Sequence, residues 1–438
     1  MVKVEGSKLK FIAKIAGFLA GFSVLGFLLI AISYTLPRGN ITKHVSESSE
    51  AYASDSSWAP GLAATRNDHF SDAIILGIAA YRGENPIESA ALTQYYTVPG
   101  QSPMDSLAYF YGGEGNTDQA ETTDYARYWH GYLVFLAPLL EFFNPSELVF
   151  LNVIIQFALI IALIVLAYRC YGAKLAVALA VFVFSLSPVT VALNFQYSAV
   201  FYPTILALLA IILWDKWLLE KNHYWYFFLL LGSATVFLDL LTYPLVSLGA
   251  PLALVFYLRR YQIKSARELL PPLRTGVLAS VCWGIGYAGT WAFKWGISSL
   301  VLGRNMFSPA LSQILYRSGN DFGHLETIRL NFITMFNLPM VFVLAVLAFV
   351  VIALILIKKA RFICQKWSML PYLILAAFPF IWYYAFANHS FVHHWFTYRE
   401  LSIAVFAGTL VVANSITKRK EREKCPKKRK KSTKQRSI

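Results

Sequence analysis

The chain has 438 residues, 57% of them hydrophobic, 16% aromatic and only 14% charged, with a mean hydropathy of +0.51 and a formal net charge of +15. That composition excludes an ordinary soluble domain. With no Walker-type GxxxxGK loop and no polar inner-face domain, it also disfavours ATP hydrolysis and nucleotide-sugar chemistry at the inner face.

Apolar runs of about 17 to 25 residues, enough to cross roughly 30 Å of hydrocarbon, recur along the chain. They predict spans near 11–36, 147–168, 175–193, 199–215, 224–240, 243–258, 275–300, 332–357, 369–386 and 400–416. The chain therefore reads as an all-α polytopic membrane protein with about ten transmembrane helices. The first run is too long for a signal-peptide core and is followed by no small-x-small site, which predicts a retained anchor. Residues 1–36 are thus an N-terminal segment with its first span, 37–146 a large loop, 147–416 a helix bundle and 417–438 a basic tail.

The loop begins with "KHVSESSEAYASDSSWAPG", polar and turn-rich, expected to be poorly ordered. "NDHFSDAIILGIAAYRG" predicts an apolar helix from near Ser71 to Gly83, too short to cross and expected to lie against the membrane or the bundle. After the glycine-containing "YGGEGNTDQAETTD", residues 131–143, "GYLVFLAPLLEFF", read as an interfacial or half-buried helix. The loop is thus expected to hold two amphipathic elements joined by flexible segments.

With the N-terminus inside, 28 of the 39 Lys and Arg fall on one side, so both termini are expected to be cytoplasmic and the 37–146 loop extracytoplasmic. The tail "KRKEREKCPKKRKKSTKQR" carries twelve cations directly after a span and is expected to rest on anionic lipid headgroups. It lacks the aromatic interleaving of a nucleic-acid binder. Cys170, Cys364 and Cys425 fall inside and Cys282 in a span, so no extracellular disulfide is expected.

A first span, a large outer loop opening on an acidic motif with surface-lying helices, and then many spans resembles the polytopic glycosyltransferases of the GT-C architecture. The passage from "WHGYLVFLAPLLEFF" through "SLSPVTVALNFQYSAVFYP" is similar to the family's "HPPLYY"-like helix, span, short basic turn, span ending in "SP" and short outer loop. Gly131 and Tyr132 stand where the family has two prolines. The resemblance covers about the first half of the chain. It implies a hexosyltransferase-class enzyme in the cell membrane that moves a sugar from a polyprenyl-phosphate-linked donor to a glycan or lipid-linked acceptor at the outer face, by a single inverting displacement.

Such chemistry needs a carboxylate to take the acceptor's proton and donors to stabilise the departing phosphate. The family's base is an aspartate early in the first outer loop. Asp68 matches best and Asp72 second, with His69 between them. Asp68 or Ser71 can equally be a helix cap. His130 from the passage above and Arg127 just ahead of it join the substrate-binding candidates, as do Gln196 and Tyr197 from the short outer loop.

The last outer loop, "NHSFVHHWFTYRE", places three histidines, an arginine and a glutamate on the same side as Asp68. His389 and His393 share a helical face. Arg399 is the best candidate for a lipid phosphate because guanidinium binds phosphate oxygens in pairs, while an aromatic-basic belt is also ordinary anchoring. His389, His393 and His394 resemble half a zinc site that Asp68, Asp72 or His69 would complete. Family members differ in their use of a divalent cation, so a cation stays open.

Asp239 and Lys294 are charges inside spans, lining a cavity or paired with each other. A transporter or flippase, or a non-catalytic envelope-assembly protein, are the other readings; neither needs Asp, His and Arg gathered at one face.

Overall fold

Turn chemistry and apolar run length set where the helices start and stop. The computed structural model describes residues 2–113, 115, 120–357, 359–363 and 366–418. Cys364, Cys425 and the basic tail from residue 419 onward lie outside the described residues.

The first helix, α1, is Val2–Ser33. The loop that follows holds α2 (Arg38–Ser48), α3 (His69–Ala80), α4 (Pro86–Leu92), α5 (Pro103–Tyr111) and α6 (Leu133–Leu140). Strands β1 (Tyr95–Thr97) and β2 (Glu121–Thr123) pair antiparallel, Tyr95 opposite Thr123. The bundle comprises α7 (Pro145–Tyr171), α8 (Ala173–Ser185), α9 (Pro188–Ala192), α10 (Phe195–Leu219), α11 (His223–Leu238), α12 (Val246–Arg259) and α13 (Ala266–Leu302), then α14 (Phe307–Arg317), α15 (His324–Met335), α16 (Leu338–Leu356), α17 (Lys366–Ala385), α18 (Ala387–Val392), α19 (His394–Thr397) and α20 (Ser402–Ser415). Strands β3 (Ala360–Phe362) and β4 (Ile416–Lys418) clasp the two chain segments beyond α16 and α20.

Six described helices are long and apolar enough to cross a membrane: Phe11–Ser33 within α1, α7, α10, α16, α17 and the stretch His394–Ser415. Only Met340 of α16 is buried, and its Phe342, Phe349 and Leu356 stand exposed, a surface that hydrocarbon tolerates and water does not. This is a helical membrane protein.

Among the described residues, helices of that length and apolarity number six, short of the ten expected. The run at 175–193 is broken at Ser187, which has φ 54 ahead of Pro188, leaving α8 with 13 residues. α11 has 16 residues and α12 has 14, each shorter than the roughly 20 residues that about 30 Å requires. α13, at 37 residues, is long but less apolar.

The loop departs from expectation in two places. Residues 38–52 are ordered, because Ile41 and Val45, one turn apart, and Tyr52 give this polar stretch an apolar edge that is fully covered. His44 Nδ1 also lies 2.7 Å from the Leu140 carbonyl. α3 is a core helix rather than a surface-lying one: every residue from Asp72 to Ala80 is buried, and Phe70 is the exposed exception. It starts at His69 and ends at Ala80, before Gly83. α6 is short, as expected, at 8 residues or about 12 Å.

Asp239 and Lys294 do not pair. Asp239 accepts from the Thr242 N–H at 3.0 Å and closes a turn after α11. Lys294 instead donates to the Ala90 and Ala91 carbonyls at 2.6 and 3.2 Å, capping the C-terminus of α4.

Candidate functional site

The loop preceding α3 is pinned to the bundle by side chains of the 190–198 segment. Thr190 Oγ1 donates to the Ala64 carbonyl at 3.1 Å and accepts from the Trp58 indole at 2.9 Å. Asn194 Oδ1 accepts from the Asp68 N–H at 2.8 Å, and its Nδ2 donates to Asn67 Oδ1 at 3.0 Å. From the last loop, the Arg66 guanidinium lies 4.1 Å over the Trp395 ring, and Tyr398 OH donates to the Ala64 carbonyl at 3.5 Å. The acidic segment and the last loop, more than three hundred residues apart in sequence, therefore meet at one end of the bundle.

The two aspartates have different jobs. Asp68 is the N-cap of α3, accepting the Ser71 N–H at 3.1 Å and the Ser71 hydroxyl at 3.0 Å. An ionised carboxylate has about four acceptor positions, so it retains capacity. Burial pushes its carboxyl above the ordinary range, Ser71 pulls it down, Asp55 adds to the rise and Arg66 opposes it. Arg66 also pairs with Asp55.

Asp72 is fully buried and spends both oxygens across the chain. Oδ2 accepts from the Phe195 N–H at 3.1 Å and Oδ1 from the Gln196 N–H at 3.0 Å. It is a side-chain cap for α10, whose own N-cap Asn194 makes no such bond. Burial raises the Asp72 carboxyl, and these N–H groups pull it back.

His69 ties the loop to itself, with Nδ1 2.7 Å from the Ser54 carbonyl and its ring 5.1 Å from that of Tyr52. His130 does not join the Asp68 group. It has φ 57, lies fully buried, and uses both ring nitrogens, Nδ1 at 2.7 Å from Tyr132 OH and Nε2 at 3.0 Å from the Tyr125 carbonyl. Burial lowers it to about 3, so the ring is neutral. Gly131 explains the missing proline: its N–H donates to the Phe237 carbonyl at 2.8 Å, and an added Cβ would collide with Phe237.

Gln196 Oε1 is buried and unpartnered, and Tyr197 OH donates to the Arg66 carbonyl at 3.4 Å. Arg127 lies 4.2 Å over the Tyr125 ring, its carbonyl held by the Trp291 and Trp295 indoles.

Arg399 is sealed inside rather than open to lipid. Nε donates to the Leu186 carbonyl at 2.8 Å and one terminal nitrogen to the Trp395 carbonyl at 3.2 Å. Its guanidinium carbon sits 4.5 Å from the Tyr197 ring centroid and 4.8 Å from that of Tyr398. One terminal nitrogen, NH2, remains unpartnered. The arginine therefore serves first as a strut closing the end of α8.

His389 and His393 keep neighbouring rings, 4.9 Å apart, although the helix breaks between them. His389 Nε2 is 2.7 Å from the Leu241 carbonyl, which fixes its hydrogen there. Burial lowers both histidines, His393 to about 3, and the charge of Arg317 contributes to each shift. Among the described residues, no group of three or more His, Cys, Asp or Glu side chains is placed to hold a metal ion; the half-site of His389, His393 and His394 is not completed by Asp68, Asp72 or His69.

Two residues of this end escaped the sequence reading: Arg66 and Arg317. Glu400 Oε1 accepts from the Leu245 N–H at 3.1 Å, leaving Oε2 buried and unpartnered. Arg66 stood two residues from Asp68, which was the available signal. The partners of Arg317 come from distant segments and left none. No protein-family model, curated protein or solved structure matches the chain.

Proposed function

We propose that the protein is a membrane-embedded glycosyltransferase of GT-C-like design, transferring a sugar from a polyprenyl-phosphate donor to a glycan or lipid-linked acceptor at the extracytoplasmic face of a cell membrane. Asp68 is the base. It takes the proton of an acceptor hydroxyl as that oxygen attacks the anomeric carbon; the bond from that carbon to the phosphate oxygen breaks, and the lipid phosphate leaves with the electron pair. The configuration inverts.

One observation carries this reading: the meeting of the 66–72 segment with the 393–399 segment, which sets a carboxylate with spare acceptor capacity near an arginine stacked on a tryptophan. A charged group held on an aromatic face suits a polar, ring-shaped ligand. Asp72 is unsuited to the same task because both its oxygens hold α10. In this reading the 171–174 and 259–266 turns and the β3–β4 pair face the cytoplasm.

The test is turnover by purified protein in lipid, reading release of polyprenyl phosphate from labelled polyprenyl-phosphate sugars offered with envelope glycolipid acceptors. Wild type releasing lipid phosphate, with Asp68→Asn slowed about 100-fold or more, supports the assignment. Equal turnover by the two proteins would remove Asp68 from the mechanism.

A further inference from the structure

The amphipathic helix α14 carries the exposed apolar residues Leu311, Leu315 and Tyr316, yet its last residue, Arg317, turns inward. The Arg317 guanidinium carbon lies 5.6 Å from the Tyr128 ring centroid, and that of Arg127 lies 5.6 Å from the same centroid. Each guanidinium has a buried nitrogen without a partner, NH1 of Arg317 and Nε of Arg127. Neither arginine makes an ion pair among the described residues.

The corner is built rather than incidental. Asn388 Nδ2 donates to the Tyr316 carbonyl at 2.9 Å and to Asp321 Oδ2 at 2.7 Å, while its Oδ1 accepts from the Asp321 N–H at 2.8 Å. Asp321 is thereby engaged by Asn388. Asp239, whose charge reaches Tyr128, is occupied by the Thr242 N–H and hydroxyl. Opposite, the Trp295 indole fixes the Arg127 carbonyl at 3.1 Å.

Buried guanidinium donors left unpaired are costly, and phosphate oxygens fit them in geometry and charge. We propose that Arg127 and Arg317 form a phosphate-binding site beside Tyr128, filled by the headgroup of a lipid-linked ligand whose chain lies along the apolar side of α14. Naming the ligand as lipid-linked rests on the transferase reading; the phosphate chemistry does not. His393 is within reach of the charges of both Arg317 and Arg66.

Binding is measured without turnover, by native mass spectrometry of the full chain released from nanodiscs, with polyprenyl phosphate, uncharged polyprenol and inorganic phosphate as separate probes. Wild type binds polyprenyl phosphate, and Arg317→Gln and Arg127→Gln each weaken it about tenfold or more. Arg304→Gln, which removes the exposed pair with Asp124, leaves binding unchanged. Competition by inorganic phosphate at equal concentration identifies a free-phosphate site, and its failure to compete identifies the lipid headgroup. Binding of polyprenol as tight as that of polyprenyl phosphate, or binding indifferent to both arginine variants, overturns the proposal. Arg317→Lys keeps the charge but not the fork, so partial binding there shows that Arg317→Gln did not act by unfolding. Asp68→Asn binds like wild type, so loss of turnover and loss of binding are separable.

Discussion

At the scale of residues, Asp68 and Asp72 are four positions apart on one helix end and differ in what they have left to give. Asp72→Ala strands the Phe195 and Gln196 N–H groups at the start of α10, so the variant should lose about 1 to 3 kcal/mol and melt several degrees lower in detergent. Asp68→Asn keeps an oxygen for the Ser71 N–H and should melt near wild type while losing transfer. Asp68 must be ionised to accept a proton, and its carboxyl is held above the ordinary carboxylate range, chiefly by burial. Transfer should therefore fall as pH drops, with its acid limb shifted up from the ordinary carboxylate range. An acid limb in kcat/KM that is not shifted up from the ordinary carboxylate range would contradict that burial.

At the scale of elements, α11 and α13 approach closely because both present glycine. A Cβ at Gly232 would meet the Trp283 carbonyl, and one at Gly286 the Leu229 carbonyl. Ser233 Oγ donates to the Gly286 carbonyl at 3.2 Å and accepts from Thr290 Oγ1 at 2.9 Å. Gly286→Leu should force the helices apart and cost about 1 to 3 kcal/mol, seen as a lower melting temperature. It should also weaken polyprenyl phosphate binding, because α13 carries Trp291 and Trp295 against the Arg127 carbonyl.

These contacts mark the limit of what the sequence shows. The long apolar runs and the cap at Asp68 were legible, because run length and capping chemistry are local. The faces that meet were not, since α11 is apolar nearly all round and only the placement of Gly232 and Gly286 selects the seam with α13. The order in α2 was hidden for a related reason. Ile41 and Val45 are two apolar residues in a polar stretch, and only the bundle beside them makes them a core. Asp72 was legible as an acid in the right motif, but its occupation by α10 depends on a segment more than a hundred residues away.

At the scale of the molecule, polar chemistry gathers at one end and structural charge at the other. The far end is closed by the Arg259–Asp215 pair at 2.7 Å, by Tyr224 OH on Asp215 at 2.6 Å and by Lys174 on the Ile416 carbonyl. Cys170, exposed at the end of α7, belongs to that end. In a variant keeping Cys170 as its single cysteine, a membrane-impermeant maleimide should label broken cells but not intact ones. Trp58→Cys in the same background should be labelled in both, and the opposite pattern would reverse the proposed orientation.

The central claim, that Asp68 performs glycosyl transfer at the outer face, is tested most directly in cells lacking the protein and complemented with wild type, Asp68→Asn or Asp72→Asn at matched membrane levels. The readout is labelled sugar in surface glycan. The account predicts that one glycan modification disappears in the null, returns with wild type and stays absent with Asp68→Asn, while Asp72→Asn, once folded, restores it in part. Normal glycan with Asp68→Asn, or unchanged glycan in the null itself, would contradict it.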